Sequence, residues 1–130
     1  MLTKLIYLSN MAEHNELGKQ GEMLAVNHLK KEGYRILETN KRYGKDELDI
    51  IAEKDGVIIV AEVKTRVNKF FGNPEEFVTP AKQKRIINAT HHYLLDKDID
   101  AEVRFDVFAV VVNKKYTEIN HIQDAFFPSP

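Results

Sequence analysis

One stretch constrains this chain more than any other, the run from Glu47 to Arg66. Glu47-Leu48-Asp49-Ile50-Ile51-Ala52 precedes an Asp55-Gly56 pair, and Val57-Ile58-Ile59-Val60-Ala61-Glu62-Val63-Lys64-Thr65-Arg66 follows it. Two β-branched runs around Asp-Gly form the strongest short-range hairpin signal. With Asp55 and Gly56 at the centre of the turn, Lys54 faces Val57 and Asp49 faces Glu62. Opposed residues on one sheet face have Cβ atoms about 4.5–5.5 Å apart, so this register sets two carboxylates side by side. Like charges so placed destabilise unless a cation lies between them. Lys64 shares the face of Glu62, because strand side chains alternate. A one-residue slip would turn Asp49 to the opposite face.

Val57 to Val63 is apolar on both faces until Glu62, the mark of a central strand buried on both sides. Charges at the end of such a strand are costly without partners. Two partners fit. A divalent cation is one, and oxygen ligands suit Mg2+, which keeps several waters and takes one or two carboxylates plus a phosphate. The other is a salt-bridged strand end in which Lys64 pairs across to Glu47. The residues alone leave both open.

The chain has no cysteine, which removes disulfide scaffolds, thiolate metal sites and cysteine nucleophiles. Its 43% hydrophobic content excludes overall disorder. We expect one domain over residues 13–127, preceded by an extension over residues 1–12. No apolar stretch approaches membrane-spanning length, and Met1 to Asn10 lacks the apolar region and cleavage site of a signal peptide. The expectation is a cytoplasmic protein with no membrane partner. A net charge of −1 argues against a simple polybasic binder. The distribution says more. Val63 to Thr90 holds six basic residues, Lys64, Arg66, Lys69, Lys82, Lys84 and Arg85, against Glu75 and Glu76 alone. A basic patch beside a carboxylate pair suits a polyanionic substrate; a solvated helix turn is the commoner meaning of such a run.

The remaining elements read as follows. Glu13 to Lys31 is a helix with Ala25, Val26 and Leu29 facing inward and Gly33 as its stop. Glu22 precedes those residues by three, four and seven positions and therefore shares their face. An acid there is unusual, unless it snorkels or favours the positive helix start. Gly18 and Gly21 beside it permit close approach of a strand or ligand. Tyr34 to Lys41 is a first strand. Val67 to Val78 is a long connection carrying Phe70, Phe71 and Phe77, either a lid that stacks on bases or the cover of a core edge. Thr79-Pro80 caps and opens a second helix that runs to about Leu95, with Ile86, Ile87, Thr90, Tyr93 and Leu94 as its buried stripe. Lys82 and Gln83 project from its N-terminus, where free N–H groups favour phosphate. Val103 to Val112 and Tyr116 to Ile122 are strands, and Ala125 to Phe127 a tail. Arg104 and Asp106 share a face and brace each other. The hairpin requires an antiparallel pair and the strand–helix–strand crossover a parallel one, so the fold is α/β, a mixed sheet flanked by helices in the order α-β-β-β-α-β-β.

Asp49 and the triplet Glu62-Val63-Lys64 resemble the acid and acid-x-Lys core of the PD-(D/E)XK nuclease superfamily. More closely, the chain resembles the YraN family, whose members are similar to archaeal Holliday-junction resolvases. The resemblance covers about Leu17 to Phe126. It rests on Gly18-x-x-Gly21-Glu22, Glu47-Leu48-Asp49-Ile50-Ile51-Ala52, Glu62-Val63-Lys64-Thr65-Arg66, Lys82-Gln83-Lys84-Arg85-Ile86 and Arg104-Phe105-Asp106-Val107. Asp46 stands where the family pattern has glycine. The resemblance implies a restriction-endonuclease-like core and a nuclease that hydrolyses DNA phosphodiesters, branched or repair intermediates among them. It implies Mg2+, with Mn2+ as a substitute, held by Asp49, Glu62 and the Val63 carbonyl, with Glu22 assisting directly or through water. Lys64 then orients the attacking water and stabilises charge on phosphorus. Arg66, Lys69, Lys82, Gln83 and Arg85 are the expected nucleic-acid contacts. Junction cutting needs two active sites, which suggests a homodimer. The competing expectation is a nucleic-acid-binding module of the same fold with little or no catalysis; a third is a protein-interaction domain using Phe70, Phe71 and Phe77.

Overall fold

A computed structural model describes residues 2–69 and 78–128, with side chains from Asn15 onward. In chain order the elements are α1 (Leu2–Lys31), β1 (Arg35–Tyr43), β2 (Asp46–Lys54), β3 (Val57–Arg66), α2 (Pro80–Asp96), β4 (Glu102–Val112) and β5 (Thr117–Phe126). This is the expected α-β-β-β-α-β-β order. The five strands form one sheet in the order β1-β2-β3-β4-β5, antiparallel throughout except for the parallel β3–β4 pair.

The Asp-Gly turn sets the register as read. Asp55 and Gly56 both have positive φ, 51° and 80°, the type I′ geometry whose twist matches the flanking strands. Lys54 pairs with Val57, and the ladder continues to Ile50 and Ala61. The second helix begins as its sequence demands: Thr79 Oγ1 accepts from the Lys82 N–H at 3.2 Å and Pro80 takes the first turn. Each helix ends in a Schellman pair, Tyr34 N–H to Leu29 carbonyl and Ile99 N–H to Leu94 carbonyl, both 2.9 Å.

Two apolar layers enclose the sheet. Ala25 and Leu29 of α1 pack on Ile50, Ala52, Ile59 and Phe108. Ile86, Ala89 and Tyr93 of α2 pack on Ile51, Val60, Phe105 and Val107 from the other side. Ile87 and Leu94, expected in the buried stripe, are only partly buried at its margin. Leu48 joins the α2 layer, although Ile50 and Ala52 belong to the α1 layer. Strict alternation would put all three together, so the pleat of β2 slips by one residue at Asp49. Among the described residues, no helix is long and apolar enough to cross a membrane.

Three expectations need correction. The first helix starts at Leu2, not near Glu13; no glycine or proline precedes Gly18 to stop it. The last strand runs on to Phe126. An irregularity between its pairings with Phe105 and Val107 absorbs the polar residues, with Asp124 at φ 52° and its N–H on Asp106 Oδ1 at 3.0 Å. Phe126 then stacks on Phe105, with ring centroids 5.1 Å apart. Thirdly, Glu47 does not pair with Lys64. The slip at Asp49 turns it towards Arg42, whose guanidinium lies 3.1 Å away. The aromatic connection, with Phe70, Phe71 and Phe77, lies outside the described residues.

Arg104 and Asp106 do brace each other. The carboxylate of Asp106 is fully buried and takes Arg104 Nε and a terminal guanidinium nitrogen at 2.8 and 2.7 Å and His121 Nε2 at 2.7 Å. Arg104 also donates to the Tyr34 hydroxyl at 2.8 Å, tying β4 to the end of α1.

Candidate functional site

The open end of the β2–β3 hairpin gathers the polar side chains. Backbone pairing stops at Ile50 and Ala61, one step short of Asp49 and Glu62. Beyond that point the strands are joined through carboxylates. The Val63 N–H donates to Asp49 Oδ2 at 2.9 Å, and the Asp49 N–H reaches towards Glu62 Oε2 at 3.4 Å. Each acid takes a backbone donor from the opposite strand, which holds both at the fork. The sheet's apolar middle, Ile50 to Ala52 against Ile59 to Ala61, lies fully buried directly behind that fork.

α1 brings Glu22 to the same point. Gly21 is buried against β3, and a Cβ built on it would overlap the Thr65 side chain, 2.8 Å from the Thr65 Cβ. Only glycine lets the helix lie so close. Glu22 then accepts from Asn40 Nδ2 at 3.1 Å. Carboxylate oxygens of Glu22, Glu47 and Asp49 all lie within 4.8 Å of one another. Burial pushes the Glu22 carboxyl up; Asn40 opposes this, and Asp49 and Glu47 add to it.

Glu62 is 3% exposed. Burial first, and then the charge of Asp49, raise its carboxyl well above the ordinary value, against the attraction of Lys82. Lys82 Nζ stands 3.6 Å from Glu62 Oε1. Lys64 is half-buried in a recess with Glu22, Val63 and Arg66. Burial, then Lys82 and Arg66, lower its ammonium pKa, while Asp49 and Glu62 hold it up. On the α2 side, Lys45, Lys82 and Arg85 rim a second recess floored by Glu47, Asp49 and Glu62.

The expected site residues thus divide. Glu22, Asp49, Glu62, Val63 and Lys64 come together at the fork. Arg66, Lys82 and Arg85 line its two recesses, Arg85 with its Nε 3.7 Å from Asp46. Lys69 instead lies 3.9 Å from Glu118 of β5. Gln83 donates to the Val78 carbonyl at 3.0 Å, so its amide closes the start of α2 and does not reach the fork. Reading the sequence missed Glu47 and Asn40. Alternation placed Glu47 opposite Lys64, and a lone Asn in a strand carries no periodic signal.

As a donor set, the fork offers carboxylate oxygens with neither thiolate nor imidazole, which suits a hard divalent cation. Burial first, and then neighbouring acids, raise the Glu22 and Glu62 carboxyls, so a cation at the fork would ease the cost of their charge. Glu22, Glu47 and Asp49 converge closely enough to hold such an ion together, with Glu62 beside Asp49.

A family model described as "Uncharacterised protein family UPF0102" matches residues 21–110, from Gly21 through the fork to β4. The chain is similar to the UPF0102 protein of Christiangramia forsetii, 54% identical over 117 residues that span 90% of this chain and 98% of the relative. It is 50% identical over 118 residues to that of Phocaeicola vulgatus, at 91% and 98% coverage. With Flavobacterium psychrophilum the figures are 49% over 117 residues, at 90% and 98%. By the span of the match and by these identities, the chain belongs to the UPF0102 family.

Proposed function

We propose that this protein is a Mg2+-dependent nuclease of the PD-(D/E)XK plan that hydrolyses phosphodiester bonds in DNA, branched or repair intermediates among them. One observation carries the reading: three carboxylates converge within 4.8 Å beside Glu62, the fourth acid, whose carboxyl burial and Asp49 together push up. Acids are not gathered at a strand end to stabilise a fold, since like charges so close destabilise it. The α-β-β-β-α-β-β order, with acids at the open end of the central hairpin, also suits a restriction-endonuclease-like core.

In this reading Asp49, Glu62 and the Val63 carbonyl would hold the ion, with Glu22 directly or through a water, and the ion would supply a more acidic attacking water and screening of the phosphate charge. The chain's own groups do the rest. Lys64, its proton affinity lowered by burial, orients the water and faces the negative charge that develops on phosphorus. Water adds in line and gives up a proton to solvent, the bond to the leaving oxygen breaks, and that oxygen takes up a proton from solvent. Lys82, Arg85 and Arg66 engage phosphates on either side. Cutting a four-way junction takes two such sites, which favours action as a pair of protomers.

Purified protein incubated with supercoiled, linear and branched DNA in Mg2+ or Mn2+ tests this. The expected result is nicking by the wild type that disappears in Asp49→Ala, Glu62→Ala and Lys64→Ala while circular dichroism shows each folded. Cutting that persists in those variants, or its absence from the wild type with every divalent ion, sinks it. A second reading, a DNA-binding module without catalysis, has one observation in its favour: Lys82 already supplies a cation to Glu62 at 3.6 Å. Retained gel shift by the carboxylate variants, with an inert wild type, would select it.

A further inference from the structure

One residue of β1 has a backbone foreign to a strand. Asn40 has φ 51° in mid-element, between the ladder pairs Thr39–Ile50 and Lys41–Leu48. Counting across the gap puts it opposite Asp49, yet the two form no ladder pair. Asp49 therefore stands at a break on both sides, facing Asn40 on β1 and Glu62 on β3. Left-handed backbone is costly for residues with a side chain and least so for Asn and Asp. Such outliers persist where the surroundings hold them, and they cluster at functional sites.

Two consequences of this kink are visible. The β2 pleat slips at the facing position, so Leu48 turns to the α2 layer and Glu47 to the side of Glu22. The Asn40 amide leaves the strand plane and donates to Glu22 Oε2 at 3.1 Å. Among the side-chain hydrogen bonds of the described residues, this one joins β1 to α1 at the fork.

We propose that Asn40 is a positioning residue of the carboxylate site, its kink and its amide together setting Glu22 and Glu47 against Asp49. The inference rests on the metal-dependent reading above. The kink acts through the backbone of β2, and the amide acts through Glu22. A tie that merely joined helix to sheet would cost stability when cut and leave ion binding alone.

Mn2+ binding by the full-length chain, followed by electron paramagnetic resonance, separates these roles. Asn40→Gly is the informative variant, because glycine accepts the left-handed backbone and only the amide is lost. It is expected to melt close to the wild type and to bind Mn2+ about tenfold more weakly, the usual order for residues that orient a ligand. In a Glu22→Gln background the same substitution should change affinity by less than about twofold, because its effect runs through the carboxylate already removed. Asn40→Gly binding Mn2+ as the wild type does, or losses that add in the double variant, overturns the inference and leaves the nuclease reading standing. A wild type that binds no Mn2+ overturns both.

Discussion

Replacing Glu62 with Gln should make the protein more stable. The side chain is 3% exposed and sits across the fork from Asp49. At about 5 Å and an effective dielectric near 20, two such charges repel by about 3 kcal/mol. Lys82 offsets part of this, but its side chain is 40% exposed, so about 1 kcal/mol is a fair allowance. Gln keeps the shape and an acceptor for the Asp49 N–H. The net gain expected for Glu62→Gln at pH 7.5 is about 1–2 kcal/mol. The pH dependence carries the same sign. Burial, then Asp49, raise the folded-state carboxyl well above its ordinary 4.5, so folding favours the protonated form. The wild type therefore loses stability as pH climbs from the unfolded value through the folded one, whereas the variant does not. Urea melts of both proteins without divalent ions, at pH 7.5 and pH 4.0, provide the assay. The gap should be open at the higher pH and closed at the lower. A variant less stable than the wild type at pH 7.5, or a gap that ignores pH, would refute the reasoning.

Two further outcomes follow from the packing. Gly21→Ala should lose about 1–3 kcal/mol by overpacking against Thr65, with partial recovery in Gly21→Ala/Thr65→Ala, both read from urea midpoints. Asp106→Ala should cost about 2–4 kcal/mol, because the partly buried Arg104, His121 and the Asp124 N–H all lose a buried acceptor, whereas Arg35→Ala at an exposed pair should cost under about 1 kcal/mol. Burial acts to raise the Asp106 carboxyl, but hydrogen bonds from Arg104, His121 and the Asp124 N–H outweigh it and hold it below 3.8. Its contribution is thus complete above the unfolded value and fades as pH falls through the folded one. Acid titration of the wild type should show that loss, and Asp106→Ala should lack it.

Much of this architecture could be read from local chemistry. Asp55-Gly56 dictates its turn, Thr79-Pro80 its helix start, and the three-, four- and seven-residue offsets of Glu22 aim it at the sheet. Those signals act over a few residues and carry their own geometry. What escaped depends on a break in period. The positive φ of Asn40 leaves the strand's composition unchanged, yet it displaces Leu48 and Glu47 from the faces that alternation assigns. Likewise β5 extends past Ile122 because a buried carboxylate on the neighbouring strand catches the Asp124 N–H, a contact 18 residues away along the chain. Gln83 reads as a residue projecting from the start of the second helix, and there its amide meets the Val78 carbonyl, a contact that no periodicity announces.

The Val63 N–H has a partner that few strand amides have. It is bound to the oxygen of an ionisable group, at 2.9 Å, where a ladder would offer a peptide carbonyl. Its nitrogen and proton resonances, and its rate of exchange with deuterium, must therefore follow whatever claims the charge on Asp49. One backbone signal, visible in a labelled sample with no added probe, can serve as a titration gauge for everything that visits the fork.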